Sequence, residues 1–142
     1  MKNIIILLIT IVSFGCATAK YQTKGLHTKT NYKYATKIEN AKPGKVMWLV
    51  TSYYGTKFNG RKTASGEVYN MFNFTCAHKT LPFGTKLKVT NPENNKSVVV
   101  RVTDRGPFVK GRDLDLSYAA AKKIGLIKYG YKKLKVEVLK NK

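Results

Sequence analysis

Three of the chain's seven carboxylates, Asp104, Asp113 and Asp115, fall in one run, Asp104-Arg-Gly-Pro-Phe-Val-Lys-Gly-Arg-Asp-Leu-Asp-Leu-Ser-Tyr118. With 27 Lys and Arg and so few acids, general acid or base work has to draw on this run or on Glu67, in the turn-like Thr63-Ala-Ser-Gly-Glu67. Asp104 follows an apolar stretch and precedes Arg105-Gly106-Pro107, the place where a strand leaves a sheet at a cleft. Pairing with Arg101 or Arg105 would lower its pKa, whereas a neighbouring carboxylate would raise it. Asp113 is expected to be solvated. Cys76 and His78 stand two apart and would share a face of an extended segment, a spacing that could serve a thiol nucleophile and its base. No further His or Asn motif supports a thiol enzyme, and Cys76 is expected to be a small buried apolar residue. His27 and His78 fall short of the three protein ligands that a catalytic metal site needs, so neither metal nor cofactor is expected.

The elements that must position these groups are mostly strands. Val46 to Tyr54 is rich in β-branched and aromatic residues, Thr85 to Asn91 alternates apolar residues with lysines, and Ser97 to Thr103 carries Val98-Val99-Val100 and Val102. Pro92-Glu-Asn-Asn-Lys96 is a turn joining the last two into a hairpin. Leu134, Val136 and Val138 alternate with Lys135 and Glu137 in a closing strand. One helix is expected, with Ser117 as N-cap, Tyr118 to Ile124 as body and Gly125 as its stop. Asp115, just ahead of that helix, would be held ionised by the unpaired N–H groups of its first turn.

Met1-Lys2-Asn3 followed by the apolar run Ile4 to Phe14 has the form of a secretory signal, too short for the roughly 20 residues that cross a bilayer. It ends in Ser13-Phe-Gly-Cys16, which resembles a bacterial lipobox. The expected organisation is a signal peptide at 1–15, a tether lipidated at Cys16 over 16–43, and a mainly β domain over 44–142. Such a tether reaches about 30 Å on average. Loss of Lys2 lowers the formal charge from +20 to +19. The charge favours anionic partners, and export excludes nucleic acid as the natural one.

Three segments carry a resemblance: Tyr54-Gly-Thr-Lys-Phe-Asn-Gly-Arg-Lys-Thr-Ala-Ser-Gly-Glu-Val-Tyr69, Ala77-His-Lys-Thr-Leu-Pro-Phe-Gly-Thr85, and Val100-Arg-Val-Thr-Asp-Arg-Gly-Pro-Phe108 running on to Asp115-Leu-Ser117. In this order and spacing the chain resembles the RlpA-like (rare lipoprotein A) family of the bacterial envelope. The resemblance implies a six-stranded double-psi β-barrel with one or two short helices, shared with expansins and family 45 endoglucanases. It implies a lytic transglycosylase of peptidoglycan that acts on strands lacking stem peptides. The alternative is a noncatalytic, expansin-like wall-binding or wall-remodelling lipoprotein. Many relatives carry a C-terminal peptidoglycan-binding repeat. The sequence to Lys142 has none, so targeting by one is not expected. The expected location is the outer membrane facing the periplasm, with cell-division proteins as further partners.

Lytic transglycosylation uses the C6 hydroxyl of N-acetylmuramic acid as the nucleophile and leaves a 1,6-anhydro end. No water is activated, so one carboxyl can protonate the leaving oxygen and then take the C6 proton, which suits an acid-poor chain. By resemblance Asp104 is the acid/base and Glu67 its partner, sharing a proton with it. His78 and Asp115 are further catalytic candidates. Tyr54, as a sugar-stacking ring, and Thr63, Ser65 and Arg105 are the expected substrate contacts. Alternation along the first strand predicts that Tyr53 and Tyr54 do not both face the cleft.

Overall fold

Alternating burial is the rule that builds the sheet. In β3 (Lys86–Thr90) Leu87 and Val89 are buried while Lys86 and Lys88 are exposed; in β4 (Ser97–Asp104) Val98, Val100 and Val102 are buried and Val99 is exposed. Each such side chain removed from water contributes about 1.5–3 kcal/mol. The computed structural model describes residues 42–140. Its other strands and its α-helix are β1 (Val46–Tyr53), β2 (Thr75–His78), β5 (Leu114–Leu116), α1 (Tyr118–Lys123) and β6 (Lys132–Val138), with 3-10 turns at Thr56–Phe58 and Ile127–Tyr129. Signal segment, Cys16, His27 and most of the expected tether lie outside the described residues. No described helix is long and apolar enough to cross a membrane.

The six strands close into a barrel in the order β1-β5-β2-β4-β3-β6. The expected hairpin is β3 and β4, antiparallel from Lys86 opposite Arg101 to Thr90 opposite Ser97, closed by Asn91 N–H donating to Lys96 O at 2.9 Å. Two pairs are parallel, β1 with β5 and β2 with β4, so the chain crosses the barrel end twice. The core fills the interior with Leu87, Val100, Val102, Leu114, Leu116, Leu134 and Val136. Leu126 and Ile124 join it from the segment after the helix.

The helix stands as expected. Ser117 Oγ accepts from Ala120 N–H at 3.4 Å, and Gly125 ends it at φ +71°, a conformation that a side chain would strain. Cys76 is buried in the core, and burial pushes its thiol pKa up, so it is a packing residue and not a nucleophile.

Candidate active site

A bulge aims Asp104. Along the parallel pair of β2 and β4, Cys76 is opposite Val102 but Ala77 is opposite Asp104, so Thr103 is the extra residue. Bulges commonly re-aim a side chain beside a functional site. The freed Thr103 carbonyl accepts from Ser65 N–H at 3.1 Å, which docks the Thr63–Glu67 turn against the strand end. Gly66, at φ +90°, lets that turn close with its N–H on Thr63 O at 2.9 Å.

Ladder register then sets the acids in one row. Ala77 is opposite Asp104 on β4 and opposite Asp115 on β5, and Asp115 is opposite Ser52 on β1. Two strand spacings of about 4.8 Å separate the backbones of Asp104 and Asp115 by about 10 Å. Ala77, fully buried, puts only a methyl group between them.

Three donors converge on Asp104. Ala64 N–H and Arg105 N–H reach Oδ1 at 2.8 Å each, and the Tyr54 hydroxyl reaches Oδ2 at 3.1 Å. Burial and the nearby carboxylates of Asp104 and Asp115 hold the Tyr54 pKa far above a free phenol's, so it remains a donor. Its ring packs on Phe58 and Tyr69, with centroids 5.5 and 5.3 Å away. Asp115 accepts a hydrogen bond from the Ser52 hydroxyl. Burial raises its pKa against the opposing pull of Ser52, Arg112 and Lys79. The expectation that a helix terminus would hold Asp115 ionised is therefore reversed: Asp115 belongs to β5, and Ser117 supplies the cap.

Tyr54, Arg105, Asp104 and Asp115 line one groove of about 630 Å³. Phe58 and Phe108 are apolar walls, the latter 87% exposed, and Lys57 and Arg112 add positive charge. Tyr53 lines the groove too, correcting the expected either-or with Tyr54. β1 ends at Tyr53, so strand alternation does not govern the next residue. Thr63 lines a smaller adjoining hollow of about 80 Å³ together with Asp104.

Glu67, Ser65 and His78 line neither space. Glu67 is exposed and bound in fork geometry by Arg101, with Nη1 to Oε1 at 2.6 Å and Nη2 to Oε2 at 2.8 Å, which lowers its pKa. No hydrogen bond joins Glu67 to Asp104 among the described residues. Their link runs through the turn, from Glu67 O accepting Thr63 N–H at 2.8 Å to Ala64 N–H on Asp104. The Thr63 and Ser65 hydroxyls lie 3.0 Å apart and bond each other inside the same turn.

His78 Nδ1 accepts from Thr80 N–H and Leu81 N–H, both at 3.1 Å, which leaves the proton of the neutral ring on Nε2. Burial lowers its pKa to about 4. Arg105 Nη1 donates to His78 O and Leu81 O at 3.2 and 2.9 Å, and its guanidinium lies 3.7 Å from the Phe83 ring centre. It clasps the β2–β3 loop through these carbonyls; the other groove cations, Lys57 and Arg112, make no carboxylate ion pair among the described residues. Asp113 is not free in solvent: its Oδ2 accepts from Val50 N–H at 3.0 Å and its own N–H donates to Val50 O at 2.8 Å. Sequence reading missed Ser52, Ala77, Lys57 and Arg112. Only strand register could have singled out the first two. No group of three or more candidate metal ligands occurs among the described residues.

Residues 46–137 match the family described as lytic transglycolase. The endolytic peptidoglycan transglycosylase RlpA of Haemophilus influenzae is 52% identical over 106 residues, covering 75% of this chain and 37% of that protein. Its namesake in Vibrio cholerae is 56% identical over 88 residues, covering 62% and 34%, and that of Neisseria meningitidis serogroup A is 45% identical over 126 residues, covering 85% and 53%. The chain thus spans about a third to a half of these curated relatives. Among solved structures, the apo expansin of Clavibacter michiganensis superposes with a TM-score of 0.56 at 19% identity, covering 69% of this chain and 52% of that one. A Streptomyces papain inhibitor superposes with the same TM-score at 20% identity, covering 69% and 97%. These two likenesses concern the fold, and they agree with the double-psi barrel expected from the sequence.

Proposed function

Because this chain belongs to the lytic transglycolase family, we propose that it cleaves peptidoglycan glycan strands between N-acetylmuramic acid and N-acetylglucosamine by lytic transglycosylation. The observation that carries this reading is the opening of Asp104 and Asp115 onto one groove from either side of Ala77. Relatives named endolytic peptidoglycan transglycosylases support it.

The two acids divide the proton work. Asp115, whose burial favours its protonated form, gives its proton to the glycosidic oxygen as the bond from C1 to that oxygen breaks. The C6 hydroxyl bonds to C1 and closes the 1,6-anhydro ring, and its proton passes to Asp104. No water is consumed, and the two carboxyls are reset by proton exchange with solvent. Tyr54, the Ala64 N–H and the Arg105 N–H fix Asp104 for that step. Glu67 acts as a positioning residue through its turn, and His78 holds the β2–β3 loop.

Lys57 and Arg112 in the groove support a preference for strands lacking stem peptides. Removal of the peptide bares the lactyl carboxylate of N-acetylmuramic acid, which these cations would bind, whereas in an intact strand that carboxyl is an uncharged amide. The protein would work in the cell envelope, anchored through lipid on Cys16 and facing the periplasm from the outer membrane, where division proteins could recruit it.

The test is to incubate the full chain with peptide-free glycan strands and assay by mass spectrometry for 1,6-anhydromuramyl ends. The expected result is their formation by wild type and a fall of about 10²–10⁴-fold in Asp104→Asn. Sedimentation with sacculi without release of such ends would assign the noncatalytic, wall-binding role instead.

A further inference from the structure

One outer face of the barrel has no part in the groove. On β1, Trp48 points outward and is 52% exposed, and the ladder sets it opposite Lys135 of β6. Lys133 is the next outward residue on β6, and Lys86 and Lys88 are the outward residues of β3, which pairs with the other edge of β6. Val46 is exposed on the same face, and Glu137, between Val46 and Lys88, brings a carboxylate to it. Among the described residues this face holds four lysines and one carboxylate on β6 and β3, with the exposed indole at its β1 edge. None of these residues lines the groove.

We infer that this lysine face, with Trp48 at its edge, docks on an anionic lipid surface. An indole with aliphatic neighbours suits the boundary between headgroups and acyl chains, and lysine ammonium groups on long stems suit lipid phosphates. Each lysine held near such a surface is drawn to it, and the attraction fades within a Debye length. Four lysines and one glutamate give a net attraction that a neutral bilayer lacks. Docking does not depend on catalysis: it would orient the barrel against the membrane whether or not the groove turns over glycan. An acidic wall polymer would meet the same charge, but it offers the indole no apolar layer to enter.

Trp48 is the chain's single tryptophan, so its fluorescence reports on this face alone. The full chain is mixed with vesicles of phosphatidylcholine, with vesicles of phosphatidylcholine and phosphatidylglycerol, and with isolated sacculi, and emission and acrylamide quenching are recorded. The expected result is a blue shift and reduced quenching on the anionic vesicles only, reversed by high salt and lost in Lys133→Glu/Lys135→Glu. Because that comparison uses wild-type protein on two lipid compositions, it stands even if the double variant folds poorly. Equal emission on neutral and anionic vesicles, or protection by sacculi alone, overturns the inference.

Discussion

The Tyr54 hydroxyl donates to Asp104 Oδ2 at 3.1 Å, joining the residue after the first strand to the last residue of the fourth. That bond makes Tyr54 a positioning residue for the carboxylate as well as a groove wall. Tyr54→Phe keeps the ring and its packing on Phe58 and Tyr69 but removes one donor from Asp104. A hydrogen bond to a charged group is worth about 1.5–3 kcal/mol, so kcat should fall at least about tenfold. KM should stay near wild type. A raised KM with kcat intact would instead assign the Tyr54 hydroxyl to a hydrogen bond with the sugar.

As the proposed general acid, Asp115 should set the alkaline limb of activity. Its pKa is raised by burial, so its protonated form persists to higher pH than an ordinary aspartate's. Activity that needs that proton is present below the raised value and is lost as pH climbs through it. Asp115→Asn should lower kcat about 10²–10⁴-fold and remove that limb from the profile of kcat/KM. A profile that keeps the limb in the variant would show that another group carries it.

The β3–β4 hairpin was legible because its residues alternate and because Pro92–Lys96 is a turn by composition. β2 and β5 were not, being four and three residues long and held by pairing on both sides rather than by periodicity. That gap hid the site's central arrangement. Ala77 between two aspartates is visible only in the register of β2 against β4 and β5, and the bulge at Thr103 leaves no trace in residue type. Arg101 shows the same limit. Sequence proximity made it a candidate partner for Asp104, but strand geometry turns it outward to Glu67. Residue types named both of the groove's acids, and the crossing connections of the barrel bring them together.

His78 makes stability depend on pH. Its folded pKa of about 4 lies below the ordinary 6.5, so between these values the unfolded chain binds more proton than the folded one. Stability is full above 6.5 and declines as pH falls toward 4, by at most about 3 kcal/mol. Denaturant unfolding at pH 7 and at pH 4.5 measures the difference. His78→Gln should be less stable than wild type at pH 7, since Thr80 and Leu81 N–H lose their acceptor, and should show a flatter change between the two conditions. An unchanged slope in the variant would move the effect to another group.

Arg112 separates recognition from chemistry. It lines the groove without a carboxylate ion pair among the described residues, and its charge also pulls the Asp115 pKa down. Arg112→Gln should therefore do two things. KM for peptide-free strands should rise about tenfold or more, as expected for a lost charge-assisted hydrogen bond. KM for strands bearing stem peptides should change little, because their lactyl carboxyl carries no charge for Arg112 to meet. The alkaline limb should also move to higher pH, since Asp115 loses a neighbour that favours its ionised form. Equal loss on both substrates would place Arg112 on a sugar ring and leave the lactyl carboxylate to Lys57, whereas an unmoved limb would detach Arg112 from Asp115.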